Sequence, residues 1–456
     1  MFKRKCYDRL LEWKRRSGGR TAVLIEGARR VGKTTLALEF AKREYDSYIY
    51  IDFSVASSTT RDLFLEQRAD IDTFLRMLQL DQATMLEPRR SVIIFDEVQR
   101  FPIAREYIKH LVADGRFDYI ETGSLISIRK NVESIVIPSE EERIPLDPLD
   151  FEEYLWAMDL EIYADEIRRC REASTALPDS VHASCMRLFN EYMLVGGMPQ
   201  AVESYKAAKD FREPDAVKRG ILNLYQEDIA KFGGTDARRA LAIFRDIPGQ
   251  LSAASKRFKF ARLEEGGRYE RFESALLWLE DARLVNICRL CTDPNAGFRL
   301  HADVSALKCY MADTGLLVSW TFSDGPEWID AHRDIQFGRV SINKGMLVGN
   351  VVAQQLRARH HELFYCSWKE PAAKPGGKPN MREVDFLITR GYSDAAGKPR
   401  ICPIEAKSSK NYSTVSLDAF RRDFGKRVGD EVVVHPKQYR KEGNREYLPL
   451  YMAFCL

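Results

Sequence analysis

The sequence has little cysteine, no long apolar run and no excess of one charge, and each absence removes a class of protein. Its nine cysteines, at positions 6, 170, 185, 288, 291, 309, 366, 402 and 455, are an odd number spread thinly over 456 residues. A disulfide framework is therefore not expected. Cys288 and Cys291 have metal-ligand spacing, but no second such pair follows, and the surrounding run RLVNICRLC reads as a strand rather than a zinc site. No apolar stretch approaches the roughly 18 to 20 residues that cross a bilayer. The start, MFKRKCYDRLLEWKRR, lacks the uninterrupted apolar segment of a secretory signal. A cytoplasmic protein without a membrane partner is the expectation. Lys plus Arg number 70 against 67 Asp plus Glu, a net charge of +3, so any basic surface for nucleic acid has to be local. No internal repeat or low-complexity tract is present, which excludes a solenoid.

What is there is enough apolar material for buried cores. Hydrophobic residues make up 45% and charged ones 30% of a chain whose length suggests about three domains. The first part alternates apolar runs with helical segments: TAVLIEG, a helix from Lys33, SYIYIDF, a helix near IDTFLRMLQL, SVIIFDE, a helix near AREYIKHLVA, and FDYIETGS. That alternation predicts a mostly parallel, helix-covered sheet. Near residue 150 the pattern turns helical, and Asp150 with Glu153 forms a capping-box pair ahead of an apolar helix. Residues 151–235 read as a helical region. Residues 236–325 read as helices followed by a strand-turn-strand, a winged-helix-like arrangement, with plain helical packing beside a stray hairpin as the alternative. Residues 326–456 give the order αβββαβ, broken by Gly/Pro-rich connectors.

GARRVGKT, Gly27 to Thr34, matches G-x-x-x-x-G-K-[ST] between an apolar strand and a helix. The spacing follows from the chemistry. Glycines let backbone N–H groups curl around a phosphate, and the helix N-terminus adds favourable partial charge. Gly27, Ala28, Arg29, Arg30, Val31, Gly32, Lys33, Thr34 and Thr35 are thus the candidate ATP-binding residues, with Lys33 neutralising phosphate oxygens and Thr34 offering a hydroxyl to Mg²⁺. SVIIFDE delivers Asp96 and Glu97 at the C-terminal end of a strand, where ligands bind in such sheets. Asp96 is the second candidate for Mg²⁺, and Glu97 is placed to polarise a water. Thr122, ending the strand FDYIETGS, is the candidate sensor of hydrolysis, the alternative being a hydroxyl that caps the following turn. Arg29, Arg30, Arg129 and Arg143 are all candidate charge stabilisers, and spacing selects none.

Two further features point toward DNA. SKRFKFAR groups Lys256, Arg257, Lys259 and Arg262 as a local cationic patch, with a solvated face anchored by Phe258 and Phe260 as the alternative. In REVDF and PIEAKSS, Glu383, Asp385, Glu405 and Lys407 fall at strand positions that can share a face. Two carboxylates and a lysine so placed could hold Mg²⁺ and activate water for phosphodiester cleavage.

GARRVGKTTL, IIFDEVQ, TGSL, IPLDPLDFEEYL, YMLVGGMPQAV, MADTGLL, REVDF and PIEAKSS, in this order, resemble the uncharacterised prokaryotic AAA-type (AAA+ superfamily) P-loop ATPases that carry a C-terminal domain of unknown function. The resemblance implies an α/β protein: an AAA-type ATPase domain at 1–150, a helical lid at 151–235, a winged-helix domain at 236–325 and a C-terminal α/β domain at 326–456 similar to the PD-(D/E)xK, restriction-endonuclease-like fold. It also implies ATP with Mg²⁺ as cofactors and makes a homo-oligomer plausible. Such nucleases often take a Glu to the metal site from the helix before the meander, and relatives read Glu-Asn where this chain has Gly349-Asn350. The expected function is ATP binding and hydrolysis in a protein that acts on DNA. The alternatives are an ATPase switch controlling a protein partner, its nuclease-like domain non-catalytic, and an ATP-gated nuclease.

Overall fold

The computed structural model describes residues 1–67, 69–124, 140–232, 236–295, 297–322, 326–336, 344–370, 380–393 and 399–456. Arg129 lies outside them. The chain divides into two compact units: Met1–Asp147 with Asp281–Arg283, and Pro148–Glu280 with Leu284–Leu456.

The first unit contains α1 (Lys5–Ser17), β1 (Ala22–Glu26), α2 (Lys33–Glu44), β2 (Ser47–Asp52), α3 (Ser58–Glu66), α4 (Ile71–Asp81), β3 (Ser91–Asp96), α5 (Pro102–Asp114), β4 (Asp118–Gly123) and β5 (Glu141–Pro145). The five strands form a parallel sheet in the order β2-β3-β4-β1-β5. Every residue of β1, β3 and β4 is buried, as expected of strands covered on both faces. One face packs Val23, Ile25, Val92 and Ile94 under Leu10, Trp13, Leu36 and Phe40 of α1 and α2. The other packs Ile93 and Phe95 against Phe53, Phe64, Phe74 and Tyr107. Neither α1 nor β5 stood out in the sequence. Both help to frame the phosphate loop, because buried Arg4 donates to the carbonyls of Val31 (3.2 Å) and Asp147 (2.5 Å).

The second unit begins with α6 (Phe151–Ala157), α7 (Glu161–Ala173), α8 (Asp179–Val195), α9 (Pro199–Ala208), α10 (Arg212–Phe232), α11 (Ala237–Ser252) and α12 (Tyr269–Asp281, its last residue belonging to the first unit). The capping box at the start of α6 is present: Asp150 Oδ1 accepts from the Glu153 N–H at 2.9 Å, and Glu153 Oε2 accepts from the Asp150 N–H at 3.3 Å. Then come β6 (Val285–Cys291), β7 (Ala302–Met311), α13 (Thr314–Thr321), α14 (Pro326–Gln336), α15 (Lys344–Ala358), β8 (Phe364–Glu370), β9 (Asn380–Ser393), β10 (Pro399–Ala406), α16 (Val415–Phe424), β11 (Glu431–His435), β12 (Arg440–Glu442) and β13 (Arg445–Pro449).

The αβββαβ order is therefore seen, as α15, the antiparallel meander β8-β9-β10, α16, and β11 parallel to β10. The hairpin β6-β7 is not a free-standing wing. Its strand β6 pairs in parallel with β8, so a single eight-stranded sheet runs β12-β13-β11-β10-β9-β8-β6-β7. Pairing with β8 satisfies backbone groups that an isolated hairpin would leave at an open edge. The segments 151–235, 236–325 and 326–456, expected as separate domains, accordingly fall within one compact unit apart from residues 281–283.

Two of the sequence motifs meet in this unit. Asp313 of MADTGLL accepts the Gly197 N–H at 2.6 Å and the Leu316 N–H at 2.8 Å. A Cβ on Gly315 would lie 2.5 Å from Gly196, so only glycine lets the two backbones approach so closely. Gln354 of α15 closes the network by donating to Asp313 and to Tyr192. These motifs build an interior rather than a reactive centre.

Candidate functional site

In the first unit the loop after β1 bends on two left-handed residues, Arg30 at φ 69° and Gly32 at φ 98°. Left-handed residues at alternate positions turn successive N–H groups to one side, which makes an anion-binding concavity. The first N–H groups of α2, from Lys33, Thr34 and Thr35, have no partner within the helix and add to it. Gly27 has a different reason for being glycine: a Cβ there would sit 2.3 Å from the Leu146 carbonyl oxygen. Ala28 and Val31 are buried, whereas Arg29, Arg30 and Thr35 are exposed. Lys33, only 7% exposed, donates to the carbonyls of Gly27 and Ala28, both at 3.1 Å. Burial pulls its ammonium below the usual lysine range, against the opposing pull of Glu97 and Asp96.

Three hydroxyls converge on Asp96. Thr34 Oγ1 donates to its carboxylate at 3.0 Å, Tyr50 OH donates to Oδ2 at 2.8 Å, and Thr122 Oγ1 donates to Oδ1. The sheet explains the convergence. Strand β4 lies beside β3 and brings Thr122, while the parallel register Asp52↔Asp96 and Tyr50↔Ile94 puts Tyr50 on the same face as Asp96. Tyr50 was missed in the sequence, where SYIYIDF reads only as an alternating strand. Its hydroxyl is held protonated by burial and by the bond to Asp96. Glu97 follows at φ 53°, a left-handed conformation uncommon for a non-glycine residue, and accepts a hydrogen bond from the Gln99 amide. Of the arginines, Arg143 pairs with Glu141 at 3.1 Å.

The residue set suits a magnesium nucleotide: a loop bent on two left-handed residues into a concavity of N–H groups, a lysine within it, and a hydroxyl and a carboxylate as oxygen ligands. Lys33, Thr34 and Asp96 would hold that group.

The second unit also brings its four candidates together. Lys407 Nζ and Glu405 Oε2, two apart on one face at the end of β10, are an ion pair at 2.7 Å. Asp385 of β9 accepts the Ala406 N–H at 3.0 Å, and Glu383 lies two residues earlier on the same strand. Two lysines that the sequence did not assign to this cluster join it. Lys308 of β7, fully buried, reaches over the Tyr365 ring (4.6 Å to the centroid) to Glu383 Oε1 at 2.7 Å and Asp385 Oδ1 at 3.6 Å. Lys256 turns inward to donate to the Gly345 carbonyl at 3.0 Å, facing Asp385 and Glu383.

Charges here are set by a contest between burial and partners. Burial pushes the Glu405 carboxyl up to about 7, only partly offset by Lys407. Burial also raises Asp385, but Lys308, Lys256 and the Ala406 N–H outweigh it and hold that carboxyl below the usual range. Burial lowers the Lys256 ammonium. It opposes the Lys308 charge too, yet Tyr310, Asp385 and Glu383 more than compensate.

Position 349 looks into this cluster: a Cβ on Gly349 would lie 3.0 Å from Lys256 Nζ. Asn350 is a brace, its amide accepting from the Met311 N–H (2.8 Å) and donating to the Met311 carbonyl (3.1 Å). The expected basic patch is divided. Phe258 and Phe260 are buried, Lys256 points inward and Arg262 pairs with Asp246 at 3.0 Å, so Arg257 and Lys259 are the ones left exposed without an ion pair among the described residues. The signal that could have revealed Lys308 is its place in SALKCYM, a lysine inside an apolar strand. Among the described residues no group of three or more His, Cys, Asp and Glu is arranged to hold a metal.

Comparison with known proteins divides the chain similarly. Residues 19–155 match the family described as an AAA domain, and residues 186–325 match a domain family of unknown function, DUF8612. Together with the parallel sheet and the loop geometry, the first match defines the first unit as an AAA-type P-loop domain. No curated protein sequence matches the chain. Among solved structures the chain is similar to PCH-2 of C. elegans (13% identity, TM-score 0.26, 46% of this chain and 65% of that one). It is also similar to ORC1 of Aeropyrum pernix, solved in complex with DNA (14%, 0.27, 73% and 94%), and to a RuvB mutant of Thermotoga maritima (15%, 0.26, 64% and 90%). The chain spans just under two thirds of PCH-2. Among the described residues no helix is long and apolar enough to cross a membrane.

Proposed function

We propose that this protein binds and hydrolyses ATP in its first unit, and that the nucleotide state governs what its second unit binds. The observation that carries the reading is the convergence of Thr34, Tyr50 and Thr122 on Asp96 beside a lysine buried in a phosphate-type loop. When bound, Mg²⁺-ATP, held by Lys33, Thr34 and Asp96, would supply an electrophilic phosphorus for attack by water. The loop N–H groups and the α2 N-terminus bind the phosphates, and Lys33 exchanges its two carbonyl acceptors for phosphate oxygens. Tyr50 and Thr122 hold the Asp96 carboxylate in one orientation. Glu97 accepts the proton of the attacking water, and Thr122, between Asp96 and the strand end, reports the change to β4.

For the second unit the reading is a DNA contact through the exposed Arg257 and Lys259 and the surrounding surface. A protein partner is the second reading, favoured by the inward turn of Lys256, which removes a cation from that surface. ATPase rate measured against single-stranded, duplex and branched DNA separates the two. DNA binding predicts stimulation that falls steeply with salt. Rates unmoved by every DNA structure would instead leave the protein-partner reading standing.

A further inference from the structure

The carboxylates of the second unit resemble half of a metal site, and the groups that face them say what occupies the other half. Lys308 pairs with Glu383 and Asp385, Lys407 pairs with Glu405, and a third ammonium, Lys256, lies beside them on the Gly345 carbonyl. Lys308 lies across the sheet face from β7 over Tyr365 to reach β9, fully removed from solvent. Lys256 comes from the segment before Phe258, its ammonium 3.0 Å from the point where a side chain on Gly349 would begin. A divalent cation needs several oxygen ligands and a net negative cradle. Three carboxylates against three ammonium groups leave no net charge for it.

We propose that the cluster is a lysine-neutralised site, in which Lys308 takes the cation position between Glu383 and Asp385, with the Lys256 ammonium held nearby on the Gly345 carbonyl, and excludes Mg²⁺. Gly349 is part of the arrangement, because a Cβ there would lie 3.0 Å from Lys256 Nζ and a longer side chain would displace that ammonium. Mg²⁺ does not fit these residues as they stand, and no cleavage step is derived through it. The second unit then binds its ligand without cutting it, and Lys256 ties the segment bearing Arg257 and Lys259 to the start of α15. The inference rests on the second unit alone and needs neither ATP hydrolysis nor a DNA ligand. It therefore stands or falls independently of the proposed function.

The test is Mn²⁺ titration followed by electron paramagnetic resonance, on the nucleotide-free full chain carrying Asp96→Asn to silence the phosphate site. The expected result is free Mn²⁺ equal to total Mn²⁺ up to millimolar concentration. One Mn²⁺ per chain, released by adding Asp385→Asn, would overturn the proposal. In the same background Lys308→Met should create a site, at least tenfold tighter than the parent, and Lys256→Met should do so if the Lys308 variant does not fold. A folded lysine variant, judged by circular dichroism, that gains no Mn²⁺ affinity would equally refute the claim that the lysines exclude the metal.

Discussion

Replacing Tyr50 by Phe removes one hydroxyl from Asp96 and almost nothing else. The ring stays in β2 with its volume unchanged, so no cavity opens. The lost contact is a 2.8 Å hydrogen bond to a carboxylate, a type worth roughly 1.5–3 kcal/mol. Tyr50 is partly exposed, which favours the lower end, about 1.5 kcal/mol or about tenfold in an equilibrium constant. Asp96 is a proposed support for the magnesium ion and does not touch the nucleotide in this account, so the loss should fall on the metal dependence. The assay is binding of a fluorescent ADP at increasing Mg²⁺, alongside the Mg²⁺ dependence of steady-state hydrolysis. Tyr50→Phe is expected to raise the Mg²⁺ requirement about tenfold while leaving ADP affinity in EDTA unchanged. Superimposable Mg²⁺ curves would show that Tyr50 does not position Asp96. A loss of affinity in EDTA would show that it acts on the loop instead.

Three other outcomes follow from the geometry. Lys308→Ala strips two partly exposed carboxylates of their shared partner and should cost roughly 1.5–3 kcal/mol in urea unfolding; a change below about 1 kcal/mol would mean water already screens the cluster. His435 is buried, with Tyr412 OH 2.6 Å from Nδ1 and the Gln438 carbonyl 3.1 Å from Nε2, so the neutral ring donates from Nε2 and accepts at Nδ1. Burial pushes its pKa down to about 4, below the unfolded value near 6.5, so the unfolded chain binds the extra proton first and stability falls as pH drops through that window. By pH 5 the loss from this residue is roughly 2 kcal/mol, and His435→Gln should flatten the pH 7 to 5 stability slope by that amount; an unchanged slope would mean the ring protonates freely. Gly27→Ala drives a Cβ against the Leu146 carbonyl, and should weaken ADP binding at least about tenfold through a shifted loop, which equilibrium dialysis would detect.

The reach of the sequence differed between the two units for a physical reason. In the first, strand, loop and helix follow one another within a few residues, so GARRVGKT and SVIIFDE carried their own context. In the structure Lys33 bonds back to the Gly27 and Ala28 carbonyls, and Asp96 ends β3 with Thr34 bonded to its carboxylate. Tyr50 stayed hidden because its role depends on the register of two strands more than forty residues apart. In the second unit the informative contacts are non-local. Lys308 and Lys256 lie far from Glu383 and Asp385 in sequence; the β7-β6-β8-β9 order brings Lys308 to them, and the bond to Gly345 of α15 holds Lys256. SKRFKFAR reads as a basic surface because composition cannot show which way a lysine turns; Lys256 turns in. The hairpin β6-β7 reads as a wing because the partner of its outer edge, β8, comes about seventy residues later. The capping box at Asp150 and Glu153 needed no such help, being a contact between residues three apart.

The central claim is that the loop from Gly27 to Thr34, with Asp96 and Glu97, is a working ATP site. Its most direct test is steady-state phosphate release from Mg²⁺-ATP by the full chain, compared with Lys33→Ala and Glu97→Gln. The account predicts turnover by the parent, none by either variant, ADP binding lost in Lys33→Ala and kept in Glu97→Gln. Turnover that survives Lys33→Ala would contradict it.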